Sequence, residues 1–364
     1  MAKGKKKLLF VGRGASGGNQ PADGGEYGAR RVLSMVQHSM RQENIDYLFL
    51  KKPNTVKRMM NMAFRQSYGH TPQAAAQLNQ LLHLNYDAAF FNGSIYGDYV
   101  KSVCGKKIKT VVFYHNVETV FYRQKYLSSL LMRDYFMYLY IKHNERICTK
   151  YADCIITLNE RDSRDLQQLY GRKADCCLPT SYPSADIRKI QSAGQKGYFL
   201  FVGGNFFANV EGITSFILHA LPYLNITLWV AGDCCEALAK NRQVTSNPKV
   251  VLKGFLENIE QAYIDAKAVI CPIYSGSGMK TKTVEALKYG KAVFATPEAF
   301  EGISGDFNKI GGLCKNNSAF ISAIRSWLAV DSPPFNRYSY EIFEKHFSNA
   351  VVFQRFNEFL HQII

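Results

Sequence analysis

Short apolar runs alternate with longer amphipathic stretches along the whole chain. The runs lie at 8–12, 47–50, 88–91, 110–114 and 152–157 in the first half, and at 198–204, 226–233, 250–256 and 268–272 in the second. Most are unbroken by polar residues, as in strands that are buried on both faces. The stretches between them favour helices, so the pattern predicts an α/β fold of doubly wound, mostly parallel sheets.

The chain of 364 residues is too long for one ordinary hydrophobic core and predicts two domains. A polar stretch at 184–197 separates the two series of runs. The predicted ranges are 1–183 for the first domain and 197–340 for the second. Apolar residues at helical spacing predict a C-terminal helix at about 341–364.

Positive charge is concentrated in the first half. Residues 1–196 contain 30 of the 45 Lys and Arg residues but 15 of the 29 acids, so they carry +15 of the net charge of +16. A basic half beside a neutral half indicates two different tasks, one of which faces an anionic partner. The basic and aromatic residues match no stacking or groove-reading motif, so a nucleic-acid partner is not expected.

Cysteine usage and hydropathy indicate the compartment. The nine cysteines contain no C-x-x-C spacing, which favours reduced thiols in a cytosol. The apolar run after the basic start is too short for a secretory signal, and no run approaches the roughly 18 residues of a membrane span. We expect a cytoplasmic protein that is either soluble or peripheral at the inner face of the membrane.

The segment from Cys271 to Ile303 contains the strongest functional signal. A buried run is followed by the small residues of the loop Ser275–Gly278, and then by an amphipathic stretch that predicts a helix from Thr281 to Tyr289. Gly290 follows, as is common after the last residue of a helix. Taken alone, the loop could also be an ordinary flexible connector.

The start of this predicted helix is suited to an anion. The N–H groups near Met279 to Lys282 lack helical partners and favour negative charge, which Lys280 and Lys282 would reinforce. Glu285 lies one turn further on, where its carboxylate can reach hydroxyl groups. A pyrophosphate that carries a polyol, and therefore a sugar nucleotide, is the ligand predicted from these residues.

The run GSGMK, followed by a second lysine and by Glu285-Ala286, resembles the donor-site signature of family-four glycosyltransferases of the GT-B fold. The resemblance extends over most of the chain. It implies two Rossmann-like domains that face a cleft, with a C-terminal helix that crosses back to the first. It also implies retaining transfer from a nucleoside-diphosphate sugar, with catalytic help from Lys280 and Lys282. The donor-binding residues that it implies in this segment are Ser277, Gly278, Met279, Thr281 and Glu285.

The same resemblance assigns roles outside this segment. His115, in the sequence HNVE after a predicted strand, would orient the donor sugar, although a lone histidine is more often structural. Glycines of the first loop would lie near the donor phosphates; Gly24 and Gly25 are candidates, but we favour Gly17 and Gly18. In the second domain, the turn at Gly204 and Asn205 and the strand end at Gly254 and Phe255 would contact the nucleotide. Core packing explains Phe255 equally well.

The sequence departs from the family at two places. The family has Arg or Lys shortly after the glycines at 203 and 204, where this chain has Asn205, Ala208 and Asn209. We expect Lys280 and Lys282 to supply the missing charge. At Ser277 the family often has a glutamate that contacts sugar hydroxyls, so the identity of the donor sugar stays open.

Two segments of the basic half, 51–66 and 121–150, combine cationic residues with apolar ones. The second contains seven aromatic residues and six Lys or Arg. Such helices suit the headgroup layer of an anionic membrane, but they are also typical of core helices with one solvated face. The first interpretation predicts peripheral membrane contact.

Together these features predict a glycosyltransferase that moves a hexose from a nucleotide sugar to a glycan or lipid-linked acceptor in cell-surface polysaccharide synthesis. No cofactor is expected, and no D-x-D or His/Cys set predicts a metal. Two alternatives remain. One is a sugar-nucleotide epimerase on the same fold, and the other is a transferase-like binding protein without activity.

Overall fold

The computed structural model describes residues 6–14, 24–192, 197–330, 333 and 335–364. They form two compact units, Met1–Pro179 with Val352–Ile364, and Thr180–Val351. The first unit has six strands, β1 Leu8–Arg13, β2 Ile45–Leu50, β3 Ala88–Asn92, β4 Lys109–Tyr114, β5 Cys154–Thr157 and β6 Cys176–Cys177. The second has β7 Tyr198–Val202, β8 Thr227–Ala231, β9 Val250–Gly254, β10 Ala268–Cys271, β11 Ala292–Ala295 and β12 Gly311–Leu313.

Helices connect the strands of each unit. In the first half they are α1 Gly24–Ser39, α2 Thr55–Ala63, α3 Pro72–Leu81, α4 Gly97–Val103, α5 Glu118–Ser129, α6 Met132–Tyr151, α7 Glu160–Tyr170 and α8 Ile187–Ser192. In the second half they are α9 Phe207–His219, α10 Cys234–Leu238, α11 Arg242–Thr245, α12 Ile259–Asp265, α13 Thr281–Lys288, α14 Phe307–Ile310, α15 Asn317–Leu328, α16 Arg337–His346 and α17 Asn349–Ile363. Two 3₁₀ helices, Gln42–Asn44 and Leu221–Tyr223, complete the described elements.

Each unit contains one six-stranded sheet, in the order β2-β1-β3-β4-β5-β6 or β12-β11-β10-β7-β8-β9. Every named strand pair is parallel. Residues of β1 alternate between two buried clusters, with Leu9 and Val11 in one and Leu8 and Phe10 in the other. Burial on both faces explains why the strands appear in the sequence as unbroken apolar runs. The predicted pair of doubly wound sheets is confirmed.

The C-terminal region differs from the single predicted helix. It forms two helices, α16 and α17, separated at Phe347 and Ser348. The Phe347 carbonyl accepts a hydrogen bond from the Tyr182 N–H at 3.0 Å, and the Asn349 N–H donates to the Tyr182 carbonyl at 2.8 Å. Because these backbone groups bond outside the helix, the helical series is interrupted.

The two C-terminal helices belong to different units. Helix α16 lies in the second unit, where the Tyr338 hydroxyl accepts a hydrogen bond from the Asp306 N–H at 2.8 Å. The chain rejoins the first unit at Val352, and Phe353, Phe356 and Leu360 of α17 pack in its core. The first unit therefore regains the chain at 352 rather than at about 341, and its earlier part ends at 179 rather than at 183.

Candidate functional site

The loops predicted to bind the donor lie at the carboxyl edge of the second sheet. Strand β7 is flanked by β10 on one side and β8 on the other. At such a point the connections leave the sheet in opposite directions, and ligands of open α/β sheets bind in the resulting crevice. The turn at Gly203 and Gly204 follows β7, and the loop before α13 follows β10. Sequence and topology therefore indicate the same edge.

The loop before α13 has the backbone conformation of a close-approach loop. Gly276 and Gly278 have φ values of +135° and +62°, which residues with a side chain rarely adopt. Lys280 is the N-cap residue of α13, and its side chain makes no capping hydrogen bond. The Ser277 hydroxyl is buried and has no hydrogen-bond partner among the described residues. A polar ligand at this helix start would satisfy that hydroxyl.

Lys282 connects this helix to the turn after β7. Its side chain is only 9% exposed, and its Nζ donates to Asn209 Oδ1 at 2.5 Å. Asn209 Nδ2 in turn donates to the Gly204 carbonyl at 2.9 Å. The ammonium also lies 4.7 Å from the ring centroid of Phe201. Burial lowers the pKa of Lys282 to about 8, so this cation is poorly solvated and would gain from an anionic partner.

Lys280 has a different environment from Lys282. Its Nζ lies 2.6 Å from Glu298 Oε1 and donates to the carbonyls of Ser277 and Gly278, each at 3.2 Å. The carboxylate offsets its charge, and the carbonyl bonds hold the loop in shape. The two lysines were predicted to act together, but in this structure Lys280 braces the loop while Lys282 reaches the neighbouring turn.

Other predicted donor residues occupy the same sheet edge or its helix. Glu285 is half-buried on α13, and its Oε2 accepts from the Tyr263 hydroxyl at 3.4 Å. The Gly254 carbonyl at the end of β9 accepts from the Gly232 N–H at 2.7 Å. Phe255 follows it and is 69% exposed. That exposure excludes core packing as the role of Phe255.

The first unit also has a pocket at the carboxyl edge of its sheet. There β1 lies between β2 and β3, which is again a switch point. A cavity of about 260 Å³ opens there. Residues that follow β1 to β4 line it, together with side chains from α1, α5 and α6.

His115, a residue of the first unit, lines this cavity. Its Nε2 is 2.8 Å from Asn92 Oδ1, and Asn92 Nδ2 donates to the Ala29 carbonyl at 3.0 Å. Burial, with a smaller effect of the nearby Arg31, lowers the pKa of His115 to about 4. The imidazole is therefore neutral at physiological pH and has a fixed orientation. This geometry suits hydrogen bonding and not charge stabilisation.

Glu118, the last residue of the sequence HNVE, is not among the predicted site residues. It lines the same cavity, and its Oε1 accepts from Asn116 Nδ2 at 3.2 Å. Burial, and then the nearby carboxylate of Glu145, raise the pKa of Glu118 to about 7. The signal in the sequence was its position one turn after the carboxyl end of a buried strand. The second carboxylate could not have been found in that way, because Glu145 lies 27 residues further along the chain.

Glu145 is completely buried and caps α5. Its carboxylate accepts from the backbone N–H groups of Glu118 at 2.9 Å and Thr119 at 3.1 Å. The hydroxyls of Ser94 and Tyr170 donate to it at 3.0 and 3.1 Å. Burial raises the pKa of Glu145, and these donors offset part of that rise. Glu145 therefore both fixes the start of α5 and acts electrostatically on Glu118.

The remaining predicted site residues are spread over both units, and their roles stay predictions. Gly17 and Gly18 fall outside the described residues. Gly204 and Asn205 are exposed in the turn after β7, Met279 is buried beside α13, and Thr281 is its exposed first residue. Within the described ranges, no group of three or more His, Cys, Asp or Glu side chains could hold a metal ion. No helix there is long and apolar enough to cross a membrane.

The second unit is similar in sequence to a known enzyme family. Residues 196–329 match the sequence family described as "Glycosyl transferases group 1". Among curated protein sequences, none matches the chain significantly. The second unit thus contains a glycosyltransferase domain, and the predicted enzyme class is confirmed.

Solved structures resemble nearly the whole chain. Anabaena HepE in complex with UDP aligns with a TM-score of 0.68 and 13% identity, over 98% of this chain and 100% of that one. Sucrose-phosphate synthase from Thermosynechococcus elongatus aligns at 0.70 and 14%, over 98% and 99%. The lipopolysaccharide outer core galactosyltransferase WaaB aligns at 0.63 and 15%, over 98% and 100%. At these identities the similarity shows the fold, which is GT-B.

Proposed function

We propose that the protein is a retaining, family-four-like glycosyltransferase that uses a nucleoside-diphosphate sugar. The acceptor is a glycan or a lipid-linked sugar of cell-surface polysaccharide synthesis. The observation that carries the proposal is the position of Lys282. Its buried ammonium reaches Asn209 and, through it, the turn at Gly204, which is where the sequence lacks the family's usual cation. The UDP complex of HepE supports uridine diphosphate as the first nucleotide to test.

In the proposed reaction, the bond between the anomeric carbon and the diphosphate oxygen breaks, and its electron pair leaves with the diphosphate. The acceptor oxygen bonds to the same carbon and loses its proton to the leaving group. The N–H groups at the start of α13 and the Lys282 ammonium stabilise the charge that develops on the diphosphate. Glu285 binds sugar hydroxyls, and the backbone at Gly254 with the exposed Phe255 receives the base.

Nucleotide binding tests the donor site directly. We expect UDP, GDP or dTDP, or one of their sugars, to raise the melting temperature of the protein, because a ligand that binds only the folded state stabilises it. Lys282→Met should remove most of that shift. Lys240→Met changes an exposed lysine of the same unit and should leave it intact. Equal shifts in both variants would contradict the site.

Product analysis separates the proposed activity from its alternatives. A transferase forms glycoside only when donor and acceptor are both present, whereas an epimerase converts the donor alone. NMR of the product's anomeric centre reads out retention directly. A protein that binds nucleotide but yields neither product would be the inactive binding protein.

The surface of the first unit supports membrane contact during this reaction. Residues 51–66 contain five cations and no acid, and residues 121–150 contain six cations and two acids. Both acids, Asp134 and Glu145, are buried. The charge that these two segments present to solvent is therefore entirely positive, as a surface that faces anionic lipid requires.

Large apolar side chains stand exposed among these cations. On and just after α2 they include Met59, Met60 and Phe64, and Phe64 is 70% exposed. A second group forms the turn between α5 and α6, namely Leu130, Leu131 and Met132. Residues from the end of α2 and from α6 line one shared groove, so the two segments are neighbours. This mixture favours peripheral binding at the inner face of an anionic membrane.

Vesicle binding tests the membrane proposal. Replacing Lys57, Arg58 and Arg65 by Gln should reduce sedimentation with phosphatidylglycerol vesicles at least ten-fold, since each lysine or arginine near the surface contributes about 1 kcal/mol. Replacing Lys106 and Lys107, which are exposed elsewhere on the unit, is the matched control. Unchanged binding of the triple variant would refute the contact.

A further inference from the structure

The cavity of the first unit is chemically unlike a simple sugar pocket. Three cationic side chains line it, those of Arg13, Lys51 and Lys52. Arg13 is the last residue of β1, and the two lysines follow the end of β2. Among the described residues that line it, Glu118 is the one acid. Arg13 Nη2 also lies 3.9 Å from Glu26 Oε2, so the positive balance of the cavity rests mainly on Lys51 and Lys52, and it changes with the protonation of Glu118.

The rest of the lining suits one sugar residue. The cavity, of about 260 Å³, lies just below the roughly 300–1,000 Å³ typical of small-molecule sites. Apolar and aromatic side chains form its walls, among them Ile95, Tyr96, Tyr122 and Ile141. The neutral and oriented His115 adds a hydrogen-bonding edge. Aromatic walls with a few polar groups are the common composition of carbohydrate-sized pockets.

We propose that this cavity binds an acidic sugar unit of the acceptor, which is a hydroxylated group with a carboxylate or phosphate, and that Glu118 is neutral while the anion is bound. Arg13, Lys51 and Lys52 pair with the anion, and the protonated Glu118 donates a hydrogen bond to it. This inference rests on the proposed function, because it names the acceptor class of that reaction. The binding step itself needs no donor and no turnover.

The surroundings of Glu118 make its protonation sensitive in the neutral range. Glu145 belongs to α6, but its carboxylate lies against the start of α5, where Glu118 is the first residue, and it disfavours a second negative charge there. Asp162 acts in the same direction, while the Asn116 amide favours the charged form. The charged and titratable groups that line the cavity around it are Arg13, Lys51, Lys52, Tyr68, Tyr96, His115 and Tyr122.

A linked proton changes the affinity with pH in a defined direction. If only the neutral form of Glu118 accepts the anion, binding is strongest below its pKa of about 7 and weakens above it. Between pH 8 and pH 6 the neutral fraction rises from about one tenth to about nine tenths. His115, with its pKa of about 4, does not titrate in this window. The expected gain in affinity at pH 6 over pH 8 is therefore about ten-fold.

The experiment uses the full chain without donor. Binding of glucuronate, glucose 6-phosphate and glucose is followed by NMR or calorimetry at pH 6 and pH 8, and glucuronate is the probe for pH because its carboxylate stays charged throughout. We expect both anionic probes to bind and glucose to bind at least ten-fold more weakly. The stronger of the two anions identifies the acidic group as carboxylate or phosphate.

Three variants divide the contributions. Glu118→Gln should bind glucuronate equally well at both pH values. Lys51→Glu with Lys52→Glu should lose at least ten-fold in affinity at pH 6. Lys106→Glu with Lys107→Glu makes the same charge change on exposed residues of the same unit and should bind normally. Circular dichroism checks that each variant is folded.

The unfavourable outcomes are also distinct. Equal affinity for glucose and glucuronate, or no binding of either anion, overturns the proposal. A wild-type affinity for glucuronate that is independent of pH also overturns the proposal. This measurement does not depend on whether any variant folds. An equal loss in both lysine pairs would show non-specific attraction and would also overturn it. A positive result without transferase activity would instead contradict the proposed function and leave this site standing.

Discussion

The two sheets share one topology but use it differently. In each sheet the first strand of the unit, β1 or β7, has a neighbour on both sides and forms a switch point. A candidate site lies at the carboxyl edge of each sheet. In the second unit that site is built from backbone groups and one buried cation, Lys282. In the first unit it is built from side chains that follow four strands, with Glu118 and Glu145 as a carboxyl pair. The difference indicates that the second edge attracts an anion through one buried ammonium, whereas the charge of the first edge depends on a carboxyl group.

The largest expected effect comes from removing the cation of the second edge. Lys282→Met should lower kcat by roughly 100- to 1,000-fold, the usual loss when one group that stabilises transition-state charge is removed. The measurement is steady-state turnover of the donor identified by the binding panel. Lys240→Met serves again as the control.

The same lysine predicts a pH dependence in the same direction as that of the first unit, but centred near pH 8 instead of pH 7. Since burial lowers the pKa of Lys282 to about 8, the free protein loses this charge as the pH rises through that value. The affinity for UDP should be high below pH 8 and fall above it. An affinity that stays constant from pH 7 to pH 9.5 would place Lys282 away from the phosphates.

The next largest effect is a loss of folding stability when the carboxyl pair of the first unit is disrupted. Glu145→Ala removes four hydrogen bonds and leaves the N–H groups of Glu118 and Thr119 unpaired. We expect a loss of about 3 kcal/mol in the free energy of unfolding, measured by urea denaturation. Glu160, an exposed acid in the first turn of α7, is the matched control, and its replacement by Ala should cost less than 1 kcal/mol.

A smaller effect tests the base contact. Phe255→Ala should weaken UDP binding by about 1 kcal/mol, or about five-fold, if the exposed ring stacks on the base. Calorimetry of UDP binding measures this loss. Tyr223→Ala removes another exposed aromatic ring of the same unit and should not change the affinity. Equal affinities for both variants would exclude the stacking.

The smallest expected effect is none. Because Lys282 and the start of α13 supply the positive charge at the second edge, turnover should be unchanged by EDTA. Activity measured before and after chelation, and again after Mg²⁺ is added back, decides the point. Loss on chelation with recovery on Mg²⁺ would show that a metal ion shares this work.

The sequence was sufficient to predict the parallel sheets and the loop between β10 and α13, because both depend on local patterns. Strands β1, β3 and β4 are continuous apolar runs, and their observed bounds differ from the predicted ones by at most one residue at either end. Strands β6 and β12 have only two and three residues, and β12 consists of Gly, Gly and Leu. Such short strands exist through pairing with a neighbour and leave no periodic signal.

The sites required distant parts of the chain. The Lys282 to Asn209 bond joins residues 73 positions apart, and the Glu145 cap joins residues 27 positions apart. Lysines 280 and 282 look equivalent in the sequence, but Lys280 pairs with Glu298 whereas Lys282 bonds to Asn209. The break between α16 and α17 likewise depends on Tyr182, which is far away in the sequence. Tertiary contacts of this kind cannot be read from local spacing.

The turn between α5 and α6 has a consequence for the affinity of the protein for a lipid surface. Leu130 has a φ of +53°, a left-handed conformation that costs a non-glycine residue about 1–2 kcal/mol, and its side chain is 72% exposed. In the isolated protein, Leu130 therefore has a strained backbone conformation and an apolar side chain that is exposed to water. Leu130→Gly should relieve that strain and raise the melting temperature, yet shorten the dwell time on a lipid film. A variant with a higher melting temperature and a shorter dwell time would show that Leu130 contributes to lipid binding at the expense of the stability of the folded protein.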